Sequence, residues 1–208
     1  MTFVARVCLL LFVTLLAACA DDTETWPPMR ADLGLLTTSS EGRAATFLPD
    51  GREALRVGSG PAGLAPDSTY RVVATYRTEN GAAVITGVST VMVAVPHAYK
   101  EEKTDPLDVS SVWLGGGFLN LRLIVKTRLE GAQYFGFIDR GLVSWPDGRT
   151  TASVQLYHDQ SGDPASFSRT AYLSMPLFAF DGVLTSGDTI RLRVNTFGEG
   201  EKTWTLVR

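Results

Sequence analysis

Cysteine is nearly absent from the 208 residues: there are two, Cys8 and Cys19, both at the N-terminal end. Everything after Cys19 is without a thiol, which excludes a disulfide framework, a thiolate nucleophile and a zinc–cysteine cluster from the rest of the chain. Histidine is as sparse, with only His97 and His158, and no H-E-x-x-H pattern supplies a zinc site. A membrane-spanning helix needs about 20 apolar residues. The longest apolar run here, Val7 to Leu16, is shorter and is interrupted by Thr14. There is no amphipathic helical period of convincing length and no repeat at a fixed spacing. Positive charge is not in excess either, with 19 Lys and Arg against 22 Asp and Glu and a net charge of −3. A polyanion such as nucleic acid therefore has nothing to be drawn to.

The start of the chain has a definite layout. Arg6 and the apolar run form the n-region and h-region of a secretory signal, residues 1–18. Leu16-Ala17-Ala18-Cys19 then resembles a bacterial lipobox. In such signals the chain is cut before the cysteine, whose thiol is acylated, so Cys19 is the expected lipidation site. Several acyl chains hold a protein to a bilayer where one binds only marginally, because each buried methylene contributes about 0.8 kcal/mol. The acidic group Asp21, Asp22 and Glu24 resembles the tract that carries some such lipoproteins to the cell surface. With Pro27-Pro28 it makes residues 19–29 an extended tether. The expected address is the outer membrane of a Gram-negative bacterium, facing the surface or else the periplasm, with the membrane as partner through the N-terminal lipid.

From Arg30 onward the pattern is all β. Short runs such as "ADLGLLTT", "AATFLP", "REALRV", "TYRVVATYRT", "AAVITGV" and "TVMVAV" are separated by Pro-, Gly- and Asp-rich turns, and Asn80-Gly81 is a type I′ hairpin signal. Five or six strands in residues 30–96 predict a small barrel or sandwich. Residues 97–108 are polar and Pro-bounded, and read as a linker or crossing loop. In residues 109–208 the alternation sharpens: Leu119, Leu121, Leu123 and Val125 oppose Asn120, Arg122 and Lys126, while Ile190, Leu192 and Val194 alternate with Arg191 and Arg193. Seven strands in this part fit an antiparallel sandwich.

The order of several features resembles the NigD-like lipoprotein family: the lipobox, a small first domain, "TDPLDVSSVWLGGGFLNLRL" over residues 104–123, the turn "YHDQSGDP", "RTAYLSMPL" and the closing "GEGEKTWTLVR". The resemblance covers the whole chain. It implies an OB-like barrel followed by a β-sandwich in a secreted lipoprotein.

Few residues point to chemistry. His158, Asp159, Ser161 and Asp163 crowd one turn, but consecutive residues on a hairpin rarely converge as a nucleophile, base and orienting group must. The same oxygens lack the glycine and bidentate glutamate spacing of a calcium loop. Asp139, Asp147, Glu199 and Glu201 are candidates for the carboxylate pair of a glycosidase, although separation in sequence says nothing of separation in space. Gly115-Gly116-Gly117 is followed by no P-loop lysine, and reads as a strained bend between strands, anchored by Trp113. Residues 28–96 hold six arginines and six acidic residues, and their aromatics are Phe47, Tyr70 and Tyr76, which a core absorbs; this speaks against a single-strand-binding face. No catalytic, metal or cofactor residue is expected. The expected function is a non-enzymatic binding or accessory module for a glycan or a partner protein. The alternatives are a glycan-active hydrolase with an unrecognised carboxylate pair, and a structural or bacteriocin-associated lipoprotein, the last implied by the family name alone.

Overall fold

The computed structural model describes residues 28–128, 132–163 and 166–208. Strands β1 (Arg30–Thr38), β2 (Ala44–Pro49), β3 (Leu55–Ser59), β4 (Thr69–Glu79) and β5 (Ala82–Thr90) close a barrel in the order β1-β2-β3-β5-β4. Strand β1 pairs with both β2 and β4, and β3 runs parallel to β5. This is the OB-like barrel expected. Asn80 and Gly81 have φ of 49° and 75°, the positive values a type I′ turn requires, and they join β4 to β5. Leu36, Phe47, Val72, Ala74, Tyr76, Ala83 and Ile85 fill the interior. The Phe47 and Tyr76 rings meet edge to face at 5.2 Å, which accounts for two of the three barrel aromatics as packing.

The second body is a sandwich of two four-stranded sheets. One sheet holds β6 (Met92–Val93), β11 (Phe167–Pro176), β8 (Phe118–Thr127) and β7 (Asp108–Gly115), in that order. The other holds β13 (Gly200–Val207), β12 (Thr189–Thr196), β10 (Thr150–Asp159) and β9 (Tyr134–Ser144). Most neighbours are antiparallel; β10 with β12 and β6 with β11 are parallel. The inward faces supply Leu119, Leu121, Leu123, Val125, Phe137, Val154, Leu156, Leu173, Met175, Ile190, Leu192 and Val194. Each such side chain contributes about 1.5–3 kcal/mol on burial. A 3-10 helix, Leu177–Phe180, closes one end with Phe180 buried.

One strand sits elsewhere than its sequence predicts. The run "TVMVAV" reads as a last barrel strand, yet β6 belongs to the sandwich. The Val91 amide still donates to the barrel carbonyl of Arg71 at 2.9 Å, whereas the Ala94 amide donates to Ser174 of β11 at 3.1 Å. Alternation sets which side of a strand is apolar, and the partner is chosen by edges that sequence spacing does not reveal.

Residues 97–107 cross the outside of the β9–β10 sheet, held at several points. The His97 amide donates to Phe137 O and the Asp139 amide to His97 O; further on, His158 N donates to Lys103 O and Asp105 N to His158 O. The Tyr99 ring stacks on Tyr157 and on His97, each at 4.0 Å between centroids. Leu107 is fully buried at the end of this crossing.

Candidate functional site

Strand β6 is two residues long, so it covers β11 only at Leu173 and Ser174. Below Leu173 the edge of β11 has no partner strand among the described residues. Strand β9 is the neighbouring edge of the opposite sheet. Between these edges and the end of barrel strand β5 lies a cleft of about 510 Å³. Ser89 and Thr90 form its barrel side, while Met92, Val125, Phe135 and Ala171 form an apolar floor. Thr127, Gln133 and Arg169 supply polar groups. Arg169 is exposed, and no described carboxylate forms an ion pair with it.

The polar wall is braced from behind by Asp163. This buried carboxylate accepts from the Thr127 hydroxyl at 2.5 Å, from the Arg128 amide at 2.9 Å and from the Gln133 side-chain amide at 2.8 Å. Those donors, the Thr127 hydroxyl first, hold the Asp163 carboxyl below the usual carboxylate range. Gln133 also lies against His158, whose Nε2 is 3.1 Å from the Gln133 side chain while Nδ1 donates to the Asp105 carbonyl at 2.8 Å. His158 is buried and stacks on Phe135 at 4.8 Å. Burial pushes its imidazole below the ordinary histidine value, outweighing the Asp105 carbonyl and the nearby Asp105 and Asp159 charges, which act the other way.

The candidates crowded at this turn therefore separate. Ser161 sits on the outside of the turn at φ 49°, its amide donating to Asp159 Oδ1, and neither nitrogen of His158 reaches its hydroxyl. Asp159 pairs with Lys103 at 3.0 Å, whereas Asp163 is bonded to Thr127, Arg128 and Gln133. No triad and no converging cation cage results, and among the described residues no three His, Cys, Asp or Glu side chains cluster as metal ligands do. The four glycosidase candidates are dispersed. Asp139 accepts from the Gly141 amide and Asp147 from the Arg149 amide, while Glu199 pairs with Lys202 and Glu201 with Arg193. His97 is exposed in the crossing segment. Cys19, Asp21, Asp22 and Glu24 lie outside the described residues.

The two bodies that form the cleft walls are joined by a buried polar cluster. Arg71 of β4 places Nη1 and Nη2 at 2.6 and 2.5 Å from the two carboxylate oxygens of Asp50, just after β2. The same guanidinium donates to Asn120 Oδ1 of β8 at 2.9 Å and to Ser174 Oγ of β11 at 3.3 Å, and lies 4.3 Å over the Phe118 ring. The triple glycine adjoins this cluster. Gly116 has φ of 61°, and a Cβ on it would stand 2.0 Å from Asp50 Oδ1, so the expected strained bend is also the seat of the barrel's carboxylate.

Of these features, Arg169 had a signal in the sequence. It shares the inward parity of β11 with Ala171, Leu173 and Met175, and a charge at such a position marks an opening in the core. The role of Gln133, which precedes β9, and the joint at Arg71 had none.

Residues 91–208 match the family described as the NigD-like C-terminal beta sandwich domain. The chain belongs to the NigD-like family. The match begins at Val91, where the chain leaves the barrel for β6. This NigD-like chain is similar in structure to a NigD-like immunity protein from Bacteroides caccae, with 28% identity over 87% of this chain and 93% of that one and a TM-score of 0.71. A protein of unknown function from Bacteroides vulgatus shares the fold at 16% identity, covering 86% of this chain and 91% of that one, with a TM-score of 0.65. No curated protein matches the sequence. The membership and the likeness to the Bacteroides caccae protein agree with an accessory or structural protein. No helix among the described residues is long and apolar enough to cross a membrane.

Proposed function

We propose that this NigD-like protein is a non-enzymatic binding module, held to the outer membrane by a lipid on Cys19, that takes a glycan or protein partner in the cleft between β5, β11 and β9. The observation that carries this is the make-up of the cleft. It has the volume of a ligand site and an apolar floor with a few fixed polar groups. Its described lining contains no carboxylate, histidine or cysteine to act as acid, base or nucleophile. A glycosidase needs two carboxylates about 5–10 Å apart across a cleft, and the carboxylates singled out for that role are engaged elsewhere on the surface. Export to the surface by the Asp21, Asp22 and Glu24 tract is part of the same proposal.

A tryptophan at Ser89, an exposed residue of the cleft lining, adds bulk at the cleft while leaving the residues of both cores unchanged. Partner capture from envelope extracts and binding to glycan arrays are expected to fall with Ser89→Trp and to persist with Ser89→Ala. Capture that ignores Ser89→Trp overturns the cleft as the site, and turnover of a glycan by the protein overturns the non-enzymatic reading. Cys19→Ala is expected to abolish labelling by a radioactive fatty acid and to release the protein from the membrane fraction. Protease treatment of intact cells distinguishes surface from periplasmic display.

The Bacteroides caccae relative is called an immunity protein, which supports a second reading in which the partner is a toxic protein. Under it, deletion of the gene sensitises cells to a co-resident strain, and Ser89→Trp fails to restore protection.

A further inference from the structure

Strands present their main-chain groups to alternate sides. Ser174 offers its carbonyl to β6, where it accepts from Ala94 at 3.1 Å. Strand β11 pairs with β8 without a register shift from Phe167 to Pro176. The amides and carbonyls of Thr170 and Ser168 therefore face the same side as those of Ser174, toward the cleft, and no strand meets them among the described residues. This is an edge of the kind a peptide strand completes. The side chains along it are also arranged by strand parity. Ala171 and Arg169 are inward-facing neighbours two residues apart, opposite Leu123 and Val125 of β8 in turn; both line the cleft, and Arg169 is exposed.

We propose, resting on the reading of the cleft as a binding site, that its partner is a protein that inserts an extended segment as a strand alongside β11, end to end with β6. The segment carries an apolar side chain beside Ala171 and an acidic one beside Arg169, two residues apart. The choice of a peptide over a sugar rests on the row of unmet amides and carbonyls, which another main chain matches at the strand spacing of about 4.8 Å. The acidic residue follows from Arg169, a guanidinium suited to a carboxylate and paired with none among the described residues.

The probe is a displayed library of random hexapeptides, panned against the full chain and followed by titration of labelled synthetic peptides. Recovered peptides are expected to place Asp or Glu two positions from Leu, Ile, Val or Phe. Thr170→Pro deletes one cleft-facing amide without removing a bond to β8, so it is expected to weaken binding at least about tenfold, whereas Thr170→Ala keeps the amide and binds as the parent does. Arg169→Glu is expected to weaken acidic peptides by about tenfold and to favour their Lys counterparts. N-methylation of the peptide at alternate amides gives the same reading without altering the protein, and it decides the matter if Thr170→Pro lowers the melting temperature. A library without binders, binders without an acidic residue, or binding indifferent to N-methylation overturns strand addition. If a partner is lost on Ser89→Trp yet keeps its affinity for Thr170→Pro, the cleft is a binding site of another kind. If Ser89→Trp has no effect on any partner, both readings fall.

Discussion

Arg71 shows how much one side chain can carry between two bodies. Its guanidinium is bound to Asp50, Asn120 and Ser174 and is sealed by Phe118. Removing one member of a buried ion pair leaves the other uncompensated, at about 3–5 kcal/mol. Arg71→Met is therefore expected to lower the urea midpoint strongly. The double variant with Asp50→Leu should cost less than the sum of the single changes, since the stranded carboxylate is gone. Additive costs would show that the pair is not coupled. His158 sets a pH dependence at the same scale. Its folded value lies below the unfolded 6.5, so the unfolded chain takes up the proton first as the pH falls. The stabilisation is complete above about pH 6.5 and is lost as the pH drops through the folded value. Asp163 acts in the same direction at lower pH, its contribution being present above 3.8 and lost below. Denaturation midpoints measured from pH 7.5 to 5 should fall for the parent, and more shallowly for His158→Gln. Equal slopes would remove His158 from the account.

Among the elements, the crossing segment of residues 97–107 departs most from its appearance. Its composition is that of a linker, with four charged residues in a row at Lys100, Glu101, Glu102 and Lys103. Its backbone is nevertheless bonded to β9 and β10, and Tyr99 lies flat on Tyr157. Gly136 of β9 makes room for it, because a Cβ there would stand 1.9 Å from the Tyr99 hydroxyl. Gly136→Ala is expected to lift Tyr99 off the sheet, speeding hydrogen exchange at the His97 and Asp139 amides and protease cleavage near Lys100. Gly198→Ala, with nothing within 4 Å of its Cβ and no positive φ, should leave Tyr99 in place. If Gly136→Ala leaves exchange at both amides unchanged, the ring does not hold the segment.

At the scale of the whole molecule, barrel and sandwich share a strand crossing at Val91 and the Arg71 cluster. They should therefore unfold together, in one transition seen alike by tryptophan fluorescence and far-ultraviolet circular dichroism, since the barrel has no tryptophan among residues 30–90. Arg71→Met is expected to separate the two probes. A fragment of residues 91–208 should be more stable than one of 109–208, which lacks β6 and the crossing segment and uncovers the full β11 edge. Equal melting temperatures would mean that neither segment supports the sandwich.

Local chemistry determined a good deal. Alternation placed the strands "AATFLP", "TYRVVATYRT" and "FLNLRLIVKT" close to their observed limits, Asn80-Gly81 marked a true hairpin, and the positive φ of Gly116 and Gly117 was written in the triple glycine. These features depend on neighbours a few residues apart. The OB-like label for the barrel came from the family resemblance, since spacing alone left barrel and sandwich equally open. Only the tertiary structure decided that "MV" of β6 pairs with β11, that His158 turns inward to Asp105 and Gln133 and away from Ser161, and that Arg71 meets Ser174 across 103 residues of sequence. The cleft belongs to this second kind. It exists because β6 stops after two residues and leaves a strand edge bare, and hydrogen-bond demand along an edge is a property of what packs beside it, which no local pattern encodes.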